Sequence, residues 1–318
     1  MMQVLWCLVF GVKVLVLMLL GGGFSALAAE QPQPPQVSLT GTAVYELSFQ
    51  GRTYPVWVDV PASYHSNQQD YPLLLVTDAP YAFPLIRSIR NRVGQQGKNI
   101  EDFILVGLAY PATDMPAFSR SRDYTTSDVK TRPAQPDENY DAPAYGNAPA
   151  FSGFIGTQVL PLLQQKYRLD RQRQIYLGHS YGALLGAYML LHQPDLFSHY
   201  VLSSPSLWFD QRRLLEQTPA LIRTLPAKTS AKIWLYMGGF EQPGPSARHY
   251  NKLNMVADMQ HFAKLLGPAK GLQVKTQVID GEDHLTVFPP MVTRAMLEIL
   301  PGKAPYSGNT DQLSNFLC

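Results

Sequence analysis

The chain has 318 residues, 46% of them hydrophobic and 16% charged, with a formal net charge of +2. That length can bury a substantial core, the composition excludes a disordered chain, and the near-neutral balance excludes the strong basic field of a nucleic-acid-binding protein. Two cysteines, Cys7 and Cys318, and seven scattered histidines exclude a disulfide scaffold, a cysteine-ligated metal and a paired-histidine zinc site.

Residues 4–20 are nearly all apolar, interrupted by Lys13, and a small-residue stretch follows, ending Ala26-Leu27-Ala28-Ala29. The pattern predicts a secretory signal over residues 1–28, cleaved after Ala28. An uncleaved membrane anchor is the alternative, since the run is almost long enough to span a bilayer. A cleaved product would be secreted or periplasmic, without stable membrane contact. Residues 29–40 follow as a linker, extended at Gln31-Pro32-Gln33-Pro34-Pro35.

Residues 44–50 and 54–60 are rich in β-branched and aromatic side chains, with Gly51-Arg52 between them, and predict an antiparallel hairpin. The wholly apolar runs 71–77 and 103–109 predict strands buried on both faces, with a helix over 84–92 between them. Residues 111–146 are long, polar and rich in Pro and Tyr, and a connection of that length is often functional. Helices are then expected over 154–167, 183–192, 210–221, 249–266 and 287–300. Strands are expected over 174–177, 199–203, 231–237 and 272–279. This alternation from 71 to 300 predicts one α/β domain, a mostly parallel sheet covered by helices on both faces, over residues 41–300, with a tail at 301–318.

Gly178-His179-Ser180-Tyr181-Gly182 is a G-x-S-x-G sequence between strand-like Ile175-Tyr176-Leu177 and a helix-like run from Ala183. A strand, a sharp turn and a helix in that order expose a serine hydroxyl at the carboxyl edge of the sheet. The helix N-terminus at the same place favours developing negative charge. A serine needs a base, and in this architecture the order is serine, acid, histidine. His284, five residues beyond the last strand, fits that order. The other histidines lie too near the elbow, on a helix, or before the sheet. Glu241, after the strand 231–237, is the expected acid that would orient His284. Asp280 is the rival, and a Ser-His pair without a strong acid is a third possibility. For the oxyanion, the N–H of Tyr181 is one expected donor. The other comes from the turn Asp78-Ala79-Pro80-Tyr81, where Pro80 has none, leaving Ala79 or Tyr81.

These residues resemble the esterase D and enterochelin-esterase-like family of α/β-hydrolases. The elbow at Ser180 is similar to the family's GHSxGG, and Ser203-Ser204-Pro205-Ser206-Leu207-Trp208-Phe209-Asp210 is similar to its SPSLWW segment. Gln193-Pro194-Asp195-Leu196-Phe197 belongs to the same pattern. Arg122-Asp123-Tyr124-Thr125 resembles its RDxTP stretch, with Thr126 for the proline. Gly281-Glu282-Asp283-His284 resembles its GExH loop, and Val76-Thr77-Asp78-Ala79 its LLDG turn, with Ala79 for the glycine.

The resemblance covers roughly residues 40 to 300 and implies the α/β-hydrolase fold and a serine esterase that needs no cofactor or metal and acts on a small-molecule ester. It spans siderophore, feruloyl and acetyl-sugar esterases, S-formylglutathione hydrolases and acyltransferases. A catalytically silent binding protein of the same fold is the alternative from another class. Trp208, Tyr81 and Arg122 are the expected substrate contacts. Tyr124, Tyr140 and Tyr145 are pocket walls or ordinary core aromatics. Arg120, Lys130 and Arg132 are further cations within reach of an acidic or catecholate substrate.

Overall fold

The computed structural model describes residues 38–129 and 144–304. The expected signal, most of the linker, the tail beyond Ala304, Lys130, Arg132 and Tyr140 lie outside the described residues.

Strands β1 (Thr42–Phe49) and β2 (Arg52–Asp59) form the expected hairpin. The turn is Gln50-Gly51 rather than Gly51-Arg52, because Phe49 pairs with Arg52 and both turn residues have positive φ, 47° and 73°. A two-residue hairpin turn needs left-handed backbone at both positions, which glycine supplies without strain. Six further strands complete one sheet: β3 (Tyr71–Val76), β4 (Ile104–Leu108), β5 (Leu169–His179), β6 (His199–Ser203), β7 (Ala231–Gly238) and β8 (Leu272–Ile279). Their order is β1-β2-β4-β3-β5-β6-β7-β8. Only the β1–β2 and β2–β4 pairings are antiparallel. From β4 to β8 all neighbours are parallel. Every residue of β3 and β4 is buried, as their continuous apolar sequence requires of strands covered on both faces.

Helices α1 (Ala79–Arg92) and α8 (Phe288–Ile299) contribute Phe83, Ile86, Phe288, Met291 and Val292 to the core on one face. The other face carries α2 (Pro116–Tyr124), α3 (Ala148–Phe154), α4 (Leu160–Lys166), α5 (Tyr181–His192), α6 (Phe209–Arg223) and α7 (Met255–Leu266). Burying each large apolar side chain contributes about 1.5–3 kcal/mol. Helix α1 begins five residues before the helix expected over 84–92, because Pro80 is tolerated in the first turn. The stretch 111–146 is not structureless: it contains α2. A π-helical turn, Ile155–Val159, joins α3 and α4.

The parallel strands all leave the sheet at one edge. Ser180 follows β5, Ser204 follows β6, Glu241 lies three residues beyond β7 and His284 five beyond β8. Among the described residues no helix is long and apolar enough to cross a membrane.

At the opposite edge His199 opens β6, stacked on Trp234 with ring centroids 5.7 Å apart. Burial, with the Lys232 and Arg173 charges, pushes its pKa down to about 4. The unfolded chain therefore binds a proton near pH 6.5 that the folded chain refuses until about pH 4. The stability from neutral His199 is complete above that range and is lost as pH falls through it. The thermal midpoint should drop between pH 7 and pH 5, and His199→Gln should flatten the drop. An unchanged slope in the variant would remove His199 from this account.

Candidate active site

Ser180 has φ 57° and ψ −119°, a backbone conformation that L-residues rarely adopt. The elbow is possible because its glycines permit close approach. A Cβ on Gly178 would stand 2.4 Å from the Gly182 carbonyl oxygen, and one on Gly182 would stand 2.4 Å from Thr77 Oγ1. The Ser180 N–H donates to the Ser203 carbonyl at 2.9 Å, which straps the elbow to β6. Tyr181 is the first residue of α5, whose opening N–H groups point out of the helix end.

The loops after β7 and β8 are zipped together. Phe240 N–H donates to the Glu282 carbonyl at 3.0 Å, and Gly239 N–H to that of Ile279 at 2.9 Å. Asp283 fixes the turn that carries His284. One carboxylate oxygen accepts the N–H groups of Leu285 and Thr286, each at 3.0 Å, and the other accepts from Arg248. Burial pushes the Asp283 pKa up, but the Arg248 guanidinium and these N–H groups outweigh it and hold the carboxyl below its usual range.

This scaffold places His284 Nε2 3.0 Å from Ser180 Oγ and His284 Nδ1 2.6 Å from Glu241 Oε2. Glu241 is fully buried, and its Oε1 accepts the Ser204 hydroxyl at 2.5 Å and the Gly238 N–H at 2.8 Å. Asp280 is exposed and lies beside Gly239. Of the two candidate acids, then, Glu241 is the one that reaches the histidine. A nucleophile, a base within hydrogen-bond reach and a buried carboxylate on the base's far nitrogen are the parts of acyl transfer through serine.

Beside His284 opens a cavity of about 350 Å³, lined by Tyr81, Ala82, Leu285 and Phe288 on its apolar side and by Asp78, Tyr110 and Arg120 on its polar side. Tyr81 and Phe288 face each other with centroids 5.3 Å apart. Arg120 donates to Asp78 Oδ1 at 2.8 Å, and the Tyr110 hydroxyl bonds the same oxygen. Burial opposes the Arg120 charge, and the Asp78 carboxylate more than restores it. His179 lines the cavity and packs on His284, centroids 4.8 Å apart. Burial, then the His284 and Arg120 charges, push its pKa well down, which keeps it neutral.

The Esterase family model matches residues 48–299. The chain belongs to that family. It is 26% identical over 277 residues to the ferri-bacillibactin esterase BesA of Bacillus subtilis, covering 85% of this chain and 93% of that protein. It is 32% identical over 214 residues to a siderophore enterobactin esterase of Emericella nidulans, covering 61% and 70%. Among solved structures, the BES protein from Bacillus cereus superposes with a TM-score of 0.71 at 23% identity, over 84% of this chain and 99% of that one. The fold is thus that of the esterases of the α/β-hydrolase type, and the protein is an ester-cleaving enzyme.

Within this esterase the expected substrate contacts separate. Tyr81 lines the cavity, but its N–H donates to the Asp78 carbonyl at 3.0 Å and is not available to an oxyanion. Ala79, the first residue of α1, keeps an N–H without a helical acceptor, and α5 begins against the same turn. Arg122 is corrected. It is buried and donates to Asp123, Asp114 and Tyr54, so it braces α2 to β2 and does not line the cavity. Among the described residues, Arg120, two residues earlier, is the cation that does. Two residues along a helix are about 200° apart, so Arg120 and Arg122 face opposite ways.

Trp208 packs on Tyr181, centroids 6.1 Å apart, and is not part of the cavity wall. Tyr124 and Tyr145 are core residues. Sequence reasoning gave no role to Ser204, Ser206, Asp78 or Tyr110. For Ser204 and Ser206 the signal was the Ser-Pro-Ser segment, whose polar residues follow a strand at the catalytic edge, and for Asp78 it was the turn after β3.

Proposed function

We propose that the protein is a serine esterase that works through an acyl-enzyme. The observation that carries the reading is the continuous hydrogen-bonded line Ser180–His284–Glu241 at 3.0 and 2.6 Å. Ser180 Oγ attacks the ester carbonyl carbon while its proton passes to His284 Nε2. Glu241 holds the other ring proton and stabilises the imidazolium. The N–H groups of Tyr181 and Ala79 bind the oxyanion. His284 then protonates the leaving alcohol. A water molecule, deprotonated by the same nitrogen, releases the acid and restores Ser180.

The cavity favours an ester with an aryl or short apolar group, gripped by Tyr81 and Phe288, whose polar end meets Arg120, Asp78 and Tyr110. Relatives named for siderophore esters make a siderophore ester our proposed substrate. We further propose that residues 1–28 are removed on export, so that the enzyme meets this substrate outside the cytoplasm. The A-x-A sequence at Ala26 and Ala28 supports this.

The test is a screen of the purified protein against p-nitrophenyl esters of rising chain length, with ferric and iron-free catecholate siderophores alongside. Turnover of short and aryl esters and of at least one siderophore is expected, with a fall for long chains. Good activity on the simple esters with none on any siderophore would reject the substrate reading and keep the mechanism.

A further inference from the structure

The Ser203-Ser204-Pro205-Ser206 segment touches both ends of the reaction line, Ser180 and Glu241. Ser203 accepts the Ser180 N–H at its carbonyl, and its hydroxyl lies 3.1 Å from His179 Nδ1. Ser204, at φ 45°, directs its hydroxyl to Glu241. Ser206 donates its N–H to the Ser180 carbonyl at 3.3 Å, and its own carbonyl accepts the Phe209 N–H at 3.0 Å. Ser206 is 1% exposed, with Oγ 3.3 Å from Ser180 Oγ. A buried hydroxyl pinned from both sides of its backbone, in contact with a nucleophile's own oxygen, has a restricted set of uses.

Counting protons decides which one. His284 Nδ1 faces the Glu241 carboxylate, so in the neutral ring the proton sits on Nδ1 and Nε2 is an acceptor. Ser180 has one hydroxyl proton, and Nε2 at 3.0 Å takes it. The contact between the two serine oxygens must then be made by the Ser206 proton, with Ser180 Oγ accepting. We propose that Ser206 is a hydroxyl donor to the nucleophile, supplying a hydrogen bond to Ser180 Oγ that strengthens as that oxygen gains negative charge. As Oγ bonds to the ester carbon its proton goes to His284 Nε2, and Ser206 keeps its own. In deacylation the same donor faces Oγ as it leaves the acyl carbon, which again carries developing charge. Hydrogen bonds to a charged oxygen are the stronger kind, and those at catalytic centres often tighten from long resting distances. The donor therefore favours the transition state over the ground state, the condition for raising kcat. The inference rests on Ser180 being the nucleophile.

The experiment compares Ser206→Ala and Ser206→Cys with the parent enzyme. Cysteine keeps the side chain's shape but is a weak donor. Both variants should lose about ten- to hundredfold in kcat, with KM nearly unchanged and the thermal midpoint within a few degrees of the parent. The rate of Ser180 phosphonylation by a small fluorophosphonate should fall in parallel. Parent-like rates in Ser206→Ala would overturn the proposal. So would recovery of the rate in Ser206→Cys, which would assign the loss to packing. If Ser206→Ala fails to fold, Ser206→Cys decides alone. Ser180→Ala is run beside them: activity surviving there would sink the nucleophile assignment, a result distinct from a silent Ser206.

Discussion

Ser180→Ala is expected to lower kcat for ester hydrolysis by about 10⁶-fold, the scale seen when the nucleophile of a serine triad is removed. Alanine keeps the elbow's backbone and removes only the oxygen that His284 Nε2 contacts at 3.0 Å. Folding should be unaffected, because the strain at φ 57° is borne by the strap to Ser203 and the close packing of Gly178 and Gly182, not by the hydroxyl. Residual hydrolysis above background should be small, from the oxyanion donors and binding alone. The measurement is single-substrate kinetics on a p-nitrophenyl ester, with fluorophosphonate labelling as the second readout. A variant that keeps most of its activity, or is still labelled at the parent rate, would mean that another residue carries the chemistry.

The second large effect is expected at Glu241. Glu241→Gln should cost about 10⁴-fold in kcat, while Asp280→Asn should cost little. The amide keeps the shape but can hold the wrong histidine tautomer and cannot stabilise the imidazolium. The contrast is strong because Glu241 is fully buried with both oxygens engaged, whereas Asp280 is exposed. Equal small losses would mean that a Ser-His pair works without its acid. A dominant loss at Asp280 would reverse the assignment made from the distances. A thermal midpoint for Glu241→Gln guards against misreading a folding defect, since the carboxylate also accepts the Gly238 N–H and the Ser204 hydroxyl.

Features with local causes were legible before any fold was known. The G-x-S-x-G elbow announces itself through its glycines and the change from strand-like to helix-like sequence around Ser180. The buried strands announce themselves through unbroken apolar runs. The helix within 111–146 was not legible. Its sequence, Pro116-Ala117-Phe118-Ser119-Arg120-Ser121-Arg122-Asp123-Tyr124, has a weak apolar stripe, and what stabilises it is tertiary: Tyr54 and Asp114 bind Arg122, and Asp78 binds Arg120.

The sequence alone determined the alternation of strands and helices, the serine at its turn, and the chain order in which a base and an acid must follow. The first two depend on residues within a few positions of one another, and the third follows from the architecture that their alternation implies. The tertiary structure decided which distant groups meet. Asp280 is four residues from His284 and yet faces solvent. Glu241 is 43 residues away and yet bonds it at 2.6 Å, because the β7 and β8 loops are stitched by main-chain hydrogen bonds. Arg120 rather than Arg122 reaches the cavity because helix geometry turns one of them inward. Ser206 comes against Ser180 because β6 lies beside β5 and its first residues beyond the sheet fold back over the elbow. Such proximities depend on strand order and register, which no short stretch of sequence encodes by itself.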